Sequence, residues 1–316
     1  MEKGTMELSR ICEAILASAD LSGMAGLAVG IMAGDEICTG ARGYRNIESG
    51  ELMDADTIFH CASISKTFTS TAVMKLVEEG KLRLDDKLAD VLPYLSIADK
   101  RCQKIEINHM LSHISGLQDA GELGWKAGLT GADALKNYAF ANEVTDRPML
   151  GEPGNCTPVY SDMAYDLLGL VVQEVSGQPF ETYIKENFFD PAGMKDTTFL
   201  TFERTGGSLS LEDIDKAKIA MPHVKDADGK IVLESMFPYT RQHAPSSTLT
   251  SNVSDLLKWG RYNLDKKAVS ADSYEKMWTE RVNIPDKFAM MGMGWFIRHE
   301  NGHMFVGHEG GDDGFR

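Results

Sequence analysis

The chain has 316 residues, 43% hydrophobic and 25% charged, enough to bury a substantial core in one large domain or two intertwined ones. A formal net charge of −15 repels phosphate backbones and argues against nucleic acid as a partner. The early apolar stretch from Met24 to Gly34 is too short and glycine-rich to span a bilayer, and five scattered cysteines without a Cys-x-x-Cys pair suggest reduced thiols with no zinc or redox role.

In the first 23 residues, Glu2, Glu7 and Glu13 interrupt the apolar positions, so no secretory h-region is present and a cytoplasmic protein is expected. Leu8, Ile11, Ile15 and Leu16 fit one face of an amphipathic helix. Residues 25–33 and 36–42 read as two strands around a tight turn at Gly34-Asp35.

The stretch from His60 to Gly80 places Ile64, Phe68, Ala72, Val73, Leu76 and Val77 at helical spacing and stops at a glycine. Residues three apart share a helix face, so Ser63 and Lys66 meet at the first turn. A serine hydroxyl becomes a nucleophile when a base takes its proton, and a lysine serves if its pKa is lowered. The helix N-terminus adds amide N–H groups for a developing oxyanion. The spacing alone is weak evidence, because Ser273-Tyr-Glu-Lys276 repeats it. The plain alternative is a helix-capping serine and a solvated lysine. Cys61 has no adjacent activating base and reads as a small buried residue.

Residues 81–95 are helical or turn-like up to Pro93, and 105–117 form a short helix closed by Gly116. His109 and His113 stand four apart but lack a third ligand, which favours packing or hydrogen bonding over zinc. A proline-glycine turn leads through Tyr160-Ser161-Asp162 into a helix ending near Gly177, and residues 181–199 read as further helix running into DPAGMKDTTF. Residues 200–245 look like a polar excursion with a hairpin at Asp228-Gly229. Asp226 and Asp228 suggest calcium, but the later ligand positions are missing. A helix capped at or near Ser254 runs to Leu264, and two strands follow with a turn at Asn301-Gly302. No Gly-x-Ser-x-Gly motif, Walker loop or internal repeat occurs.

Taken in order, these pieces resemble the class C β-lactamase and D-alanyl-D-alanine carboxypeptidase-like serine hydrolases, which include D-aminopeptidases and β-lactamase-fold esterases. Ser63 and Lys66 match the Ser-x-x-Lys motif, Tyr160-Ser161-Asp162 stands where Tyr-x-Asn is usual, and His308-Glu309-Gly310 looks like the third motif. HMLSHISGL, PAGMKDTTF, TLTSNVSDLLKWG and GMGW match the framework, and the likeness covers roughly residues 8–316. It implies an α/β (α+β) fold: a mixed sheet flanked by helices from residues 1–62 and 246–316, with a helical region over 63–245. It also implies catalysis by Ser63, Lys66 and Tyr160, an oxyanion hole from the N–H groups of Ser63 and Gly311, and substrate contacts from Asp162, His308, Glu309 and Gly310. No cofactor or metal is implied, and the partner is a small ester, amide or peptide.

Two departures shape the expectation. Asp162 replaces the usual asparagine; an ionised carboxylate cannot donate to a substrate carbonyl and favours a protonated Lys66. That weakens the lysine as a base and favours an esterase or D-peptidase over an efficient β-lactamase. The chain also stops at Arg316, before the family's last two strands and terminal helix. A split sheet, and a fragment or a chain needing donated strands, is the expectation. A non-turnover, penicillin-binding-like member is the alternative function; a purely structural protein would not need Ser63, Lys66, Tyr160 and His308 together.

Overall fold

The computed structural model describes residues 2–119, 123–125, 130–285, 287 and 289–316. It opens with helix α1 (Glu2–Ser18), then strands β1 (Gly26–Ala33), β2 (Glu36–Asn46) and β3 (Glu51–Leu52), and the short strand β4 (Phe59–His60). Next come helices α2 (Ser65–Glu78), α3 (Ile107–Leu111) and α4 (Asp162–Ser176), and the hairpin β5 (His223–Lys225) and β6 (Ile231–Leu233). The last elements are β7 (Thr250–Ser251), helix α5 (Val253–Leu264), and β8 (Val282–Asn283), β9 (Met290–Met291), β10 (Phe296–Glu300) and β11 (His303–Gly307).

The α1 face differs from the expected one. Leu8 and Cys12 are buried, whereas Ile11 and Ile15 are exposed. A spacing of four, through Leu8, Cys12 and Leu16, turns the helix onto β2, where Gly40 leaves the room. A Cβ on Gly40 would lie 2.7 Å from Leu16 Cδ1. β1 and β2 pair antiparallel from Gly26↔Gly43 to Ala33↔Glu36 around the expected turn.

Among the described residues the strands form two main sheets, β1-β2-β3 and β11-β10-β9-β8, with β1 and β11 at open edges. The sheet is therefore split, and every ladder within it is antiparallel. A two-residue ladder, Phe59↔Ser251 and His60↔Thr250, joins the segment before Ser63 to the segment before α5.

The larger core surrounds α2 and α4. Phe68 is fully buried, stacked on Trp259 at 4.1 Å between ring centroids and edge-on to Phe189 and Phe199. From Ser65 to Met74 every residue of α2 is buried, although the sequence reads as one-sided. Its hydroxyls are satisfied locally or across the core: Thr67 by the Ile64 carbonyl, Thr69 by Pro245 and Ser70 by Met293.

Residues 200–245 are less of an excursion than their polarity suggests. Ile214, Ile219, Met221, Phe237 and Tyr239 build a second core with Met53, Ile58 and Phe315. The hairpin is present, and Asp226 is spent within it, accepting from the Asp228 and Lys230 N–H groups at 2.9 Å each. Asn252, near Ser254, caps α5 by accepting from the Asp255 N–H. One further boundary moves. The helical run beginning at Phe180 includes a π turn over Lys185–Phe189 and ends at Ala192, where Gly193 takes the left-handed conformation.

Candidate active site

Ser63 lies in a 3-10 turn, Ala62–Ile64, ahead of the α-helix proper, rather than in the helix's first turn. Ala62 holds φ +46, an uncommon conformation for a residue with a Cβ and a local strain on the order of 1 kcal/mol or more. Ser65 Oγ donates to the Ala62 carbonyl at 2.7 Å and accepts from the Leu249 N–H at 3.1 Å, tying this turn to the β7 segment. Ser63 is half-buried.

Lys66 is fully buried. Its ammonium donates to Ser63 Oγ at 2.9 Å, to the Ser246 carbonyl at 2.9 Å and to Asp162 Oδ1. Three acceptors match the three N–H donors of an ammonium, so the resting lysine is protonated. Burial works against that charge, but the Asp162 carboxylate and then the Tyr160 phenol outweigh it and hold the pKa above the ordinary lysine range.

Ser161 caps α4 by accepting from the Ala164 N–H at 3.1 Å, which places Tyr160 before the helix and Asp162 in its first turn. The carboxylate of Asp119 accepts from the Asp162 N–H at 2.9 Å and the Met163 N–H at 3.3 Å, so one carboxylate from outside α4 braces its first turn. No sequence signal singled out Asp119.

Tyr160 stacks on buried His113, ring centroids 4.4 Å apart. His113 Nδ1 accepts from the Ser161 N–H at 3.1 Å. His113 is thus a packing and hydrogen-bonding residue, and no group of metal-binding side chains occurs among the described residues. His109 instead accepts from the Glu106 N–H as part of a helix-capping box. Burial pushes the Tyr160 phenol up to about 12, opposed by the Lys66 ammonium.

His308 follows β11 and brings its Nε2 to 3.4 Å from Tyr160 Oη. Its Nδ1 faces the Glu309 carbonyl, which only accepts, so Nδ1 carries the proton and Nε2 presents a lone pair to the phenol. Burial, with Lys66 and Lys287 nearby, holds His308 well below the ordinary histidine range. Glu309 is exposed and pairs with Lys287, whose ammonium lies 5.7 Å from the Tyr160 ring centre.

Gly310 packs against the segment that carries Ser63. A Cβ there would lie 2.3 Å from the Cys61 carbonyl and 3.2 Å from Ala62 Cβ, so only glycine fits. Asp312, two residues on, accepts from buried His60 Nε2 at 2.7 Å, a second tie between these strands that sequence patterns did not reveal. Gly311 stands between these two contacts.

The structure therefore gathers Ser63, Lys66, Tyr160, Asp162 and His308 at one place and sets Gly310 against the turn holding Ser63. The competing Ser273-x-x-Lys276 motif is structural: Ser273 Oγ donates to Glu78 at 2.6 Å. Cys61 is buried, and its thiol is pushed up to about 12 by that burial.

Comparison with known proteins gives a consistent result. The family model described as Beta-lactamase matches residues 13–316. Penicillin-binding protein 4 of Amycolatopsis lactamdurans is 26% identical over 305 residues, covering 92% of this chain and 75% of that protein. Protein flp of Staphylococcus aureus (strain MW2) is 26% identical over 282 residues, and the matched part spans 86% of this chain but only 52% of flp. Among solved structures, the octameric penicillin-binding protein homologue from Pyrococcus abyssi superposes with TM-score 0.75 at 28% identity, covering 98% of this chain and 68% of that one. D-amino acid amidase from Ochrobactrum anthropi SV3 superposes with TM-score 0.77 at 21% identity, covering 98% and 85%, a likeness of fold.

Proposed function

The chain belongs to the Beta-lactamase family of serine hydrolases, and from that premise we propose that Ser63 attacks small esters or amides, D-amino-acid derivatives included, to form an acyl-enzyme. The observation that carries this reading is the placement of Ser63 Oγ 2.9 Å from a buried ammonium, beside a tyrosine that faces a neutral histidine.

The proton route differs from one using lysine as the base. Lys66 has no free lone pair, because all three of its N–H bonds are engaged. Tyr160 relays instead: its oxygen takes the Ser63 proton as its own proton passes to the departing alcohol or amine, while His308 Nε2 orients the phenol by accepting its hydrogen bond. The Lys66 ammonium, 4.9 Å from the Tyr160 ring centre, stabilises the developing phenolate. The N–H groups of Ser63 and Gly311 form the oxyanion hole, with Gly310 holding the second donor against the first. Water then attacks the acyl carbon and releases Ser63.

Asp162, engaged by Lys66, offers no donor to a substrate carbonyl, which favours esters and small amides over β-lactams. The same engagement supports a second reading, acylation without turnover, since a lysine locked as its ammonium is a poor activator of water.

The test is intact mass after exposure to a fluorophosphonate, in which a P–Oγ bond forms as fluoride leaves. One adduct, absent in Ser63→Ala, is the expected result; no adduct on folded protein refutes the nucleophile assignment. Hydrolysis of a p-nitrophenyl ester beyond one equivalent selects turnover, and a burst that stops at one selects the second reading.

A further inference from the structure

One helical turn beyond Asp162, α4 carries a second carboxylate. The side chains of Asp166 and His243 are 0% and 2% exposed, with Asp166 Oδ2 2.7 Å from His243 Nδ1. The other ring nitrogen, Nε2, lies 2.9 Å from the Leu123 carbonyl. Nε2 faces both that carbonyl, which only accepts, and the Gln242 amide nitrogen at 3.0 Å, which only donates, while Nδ1 shares a proton with Asp166. The carboxylates beside the ring favour its charged form, an imidazolium bound to a carboxylate with Nε2–H donating to Leu123.

His243 also begins the turn that reaches the lysine. Its carbonyl accepts from the Ser247 N–H at 2.8 Å and from Ser246 Oγ at 3.3 Å. The Ser246 carbonyl in turn accepts from Lys66 Nζ at 2.9 Å. Two buried cations, Lys66 and His243, thus face two carboxylates one turn apart on α4.

We propose that His243 is a positioning residue for Lys66: bound to Asp166, it balances the second carboxylate and anchors the turn 243–246, so that Asp162 and the Ser246 carbonyl hold the ammonium beside Ser63. The proposal rests on the reading of Ser63 and Lys66 given above.

A pH dependence follows from the geometry. The groups facing the His243 ring are Asp166 and Asp162 from α4 and the edge of Tyr138 at 5.1 Å. Gln242 at 3.0 Å and the edge of Trp125 at 6.1 Å complete its surroundings. Neighbouring Arg241 is occupied by Glu181. Burial opposes the imidazolium, but the two carboxylates outweigh it and keep the ring charged above its ordinary range. When the proton leaves, Nε2 gives up the Leu123 carbonyl and accepts from Gln242 instead, and the charge that balances the second carboxylate is lost.

The experiment uses the full chain, His243→Gln and the double variant His243→Gln/Asp166→Asn. Fluorophosphonate labelling rates are measured from pH 5 to 10, and the histidine ring protons and the Lys66 side-chain nitrogen are followed by NMR. The expected result is a wild-type His243 midpoint above 6.5, its ordinary value, with labelling falling over the same range. In His243→Gln the alkaline fall disappears, labelling at pH 7 drops roughly ten- to hundredfold, the loss expected when a charge-assisted hydrogen bond goes, and the Lys66 resonance moves. The double variant recovers part of the rate, because it no longer buries an unpaired carboxylate. Wild-type rate and pH profile in His243→Gln, with an unmoved Lys66 resonance, overturns the proposal. So does a His243 midpoint below 6.5 in the wild type, a reading that stands even where the variants fail to fold. If the wild type takes no label at any pH, the Ser63 reading fails, while the His243 midpoint and the Lys66 resonance still decide this one.

Discussion

Replacing Asp162 by asparagine isolates the charge that holds Lys66 in its resting state. The amide oxygen still accepts a hydrogen bond from the lysine, so the change removes charge with little change of shape. Unit charges 4 Å apart interact by about 4 kcal/mol at an effective dielectric of 20, which displaces a titration by roughly three pH units. Burial of Lys66 is then opposed only by the Tyr160 phenol, and its pKa drops back toward the ordinary lysine value. In the wild type the folded pKa is raised, so its stabilisation is present below the unfolded value of about 10.4 and is lost as pH rises through the folded one. In the variant most of that stabilisation is absent, so the gap in stability between the two proteins is widest below the unfolded value and closes only as pH rises toward the wild type's folded one. The expected loss is about 3 kcal/mol at pH 7, the low end for a broken buried pair because the asparagine oxygen still accepts from the lysine. Urea unfolding at pH 7 and pH 10.5 measures the gap. Ester hydrolysis from pH 6 to 10 should show a new alkaline rise in kcat/KM for Asp162→Asn. Equal urea midpoints at pH 7 and identical rate profiles would refute the ion-pair account.

Tyr160→Phe keeps the stack on His113 but removes the relay oxygen; kcat should fall roughly 10²- to 10⁴-fold, with an unfolding midpoint near that of the wild type. A loss of stability in proportion to the loss of rate would make Tyr160 structural. Gly310→Ala forces a methyl toward the Cys61 carbonyl and should cost about 1–3 kcal/mol and slow fluorophosphonate labelling; labelling at the wild-type rate would separate Gly310 from the Ser63 turn. Phe68→Ala empties the space between Trp259, Phe189 and Phe199 and should cost about 3–5 kcal/mol. A smaller loss in urea unfolding would mean the surrounding rings close the cavity.

Local signals in the chain were sufficient for several elements. The turns at Gly34-Asp35, Asp228-Gly229 and Asn301-Gly302 each join paired strands, because turn chemistry is set by the few residues that adopt it. The three motifs pointed to Ser63, Lys66, Tyr160, Asp162 and His308 as candidates, and Asp162 in place of asparagine raised the expectation of a charged lysine that the fold then had to satisfy. Other features depend on what lies opposite in space. Which face of α1 is buried is decided by the gap over Gly40, and the burial of α2 on all sides by the elements that surround it. The carbonyl of Ser246, the bracing carboxylate of Asp119 and the His243–Asp166 and His60–Asp312 pairs join residues tens to hundreds of positions apart. Sequence alone supplied the candidate reacting groups and their order along the chain. Only the tertiary structure decided their protonation, because a pKa follows from burial and from the charges that folding brings within a few ångströms.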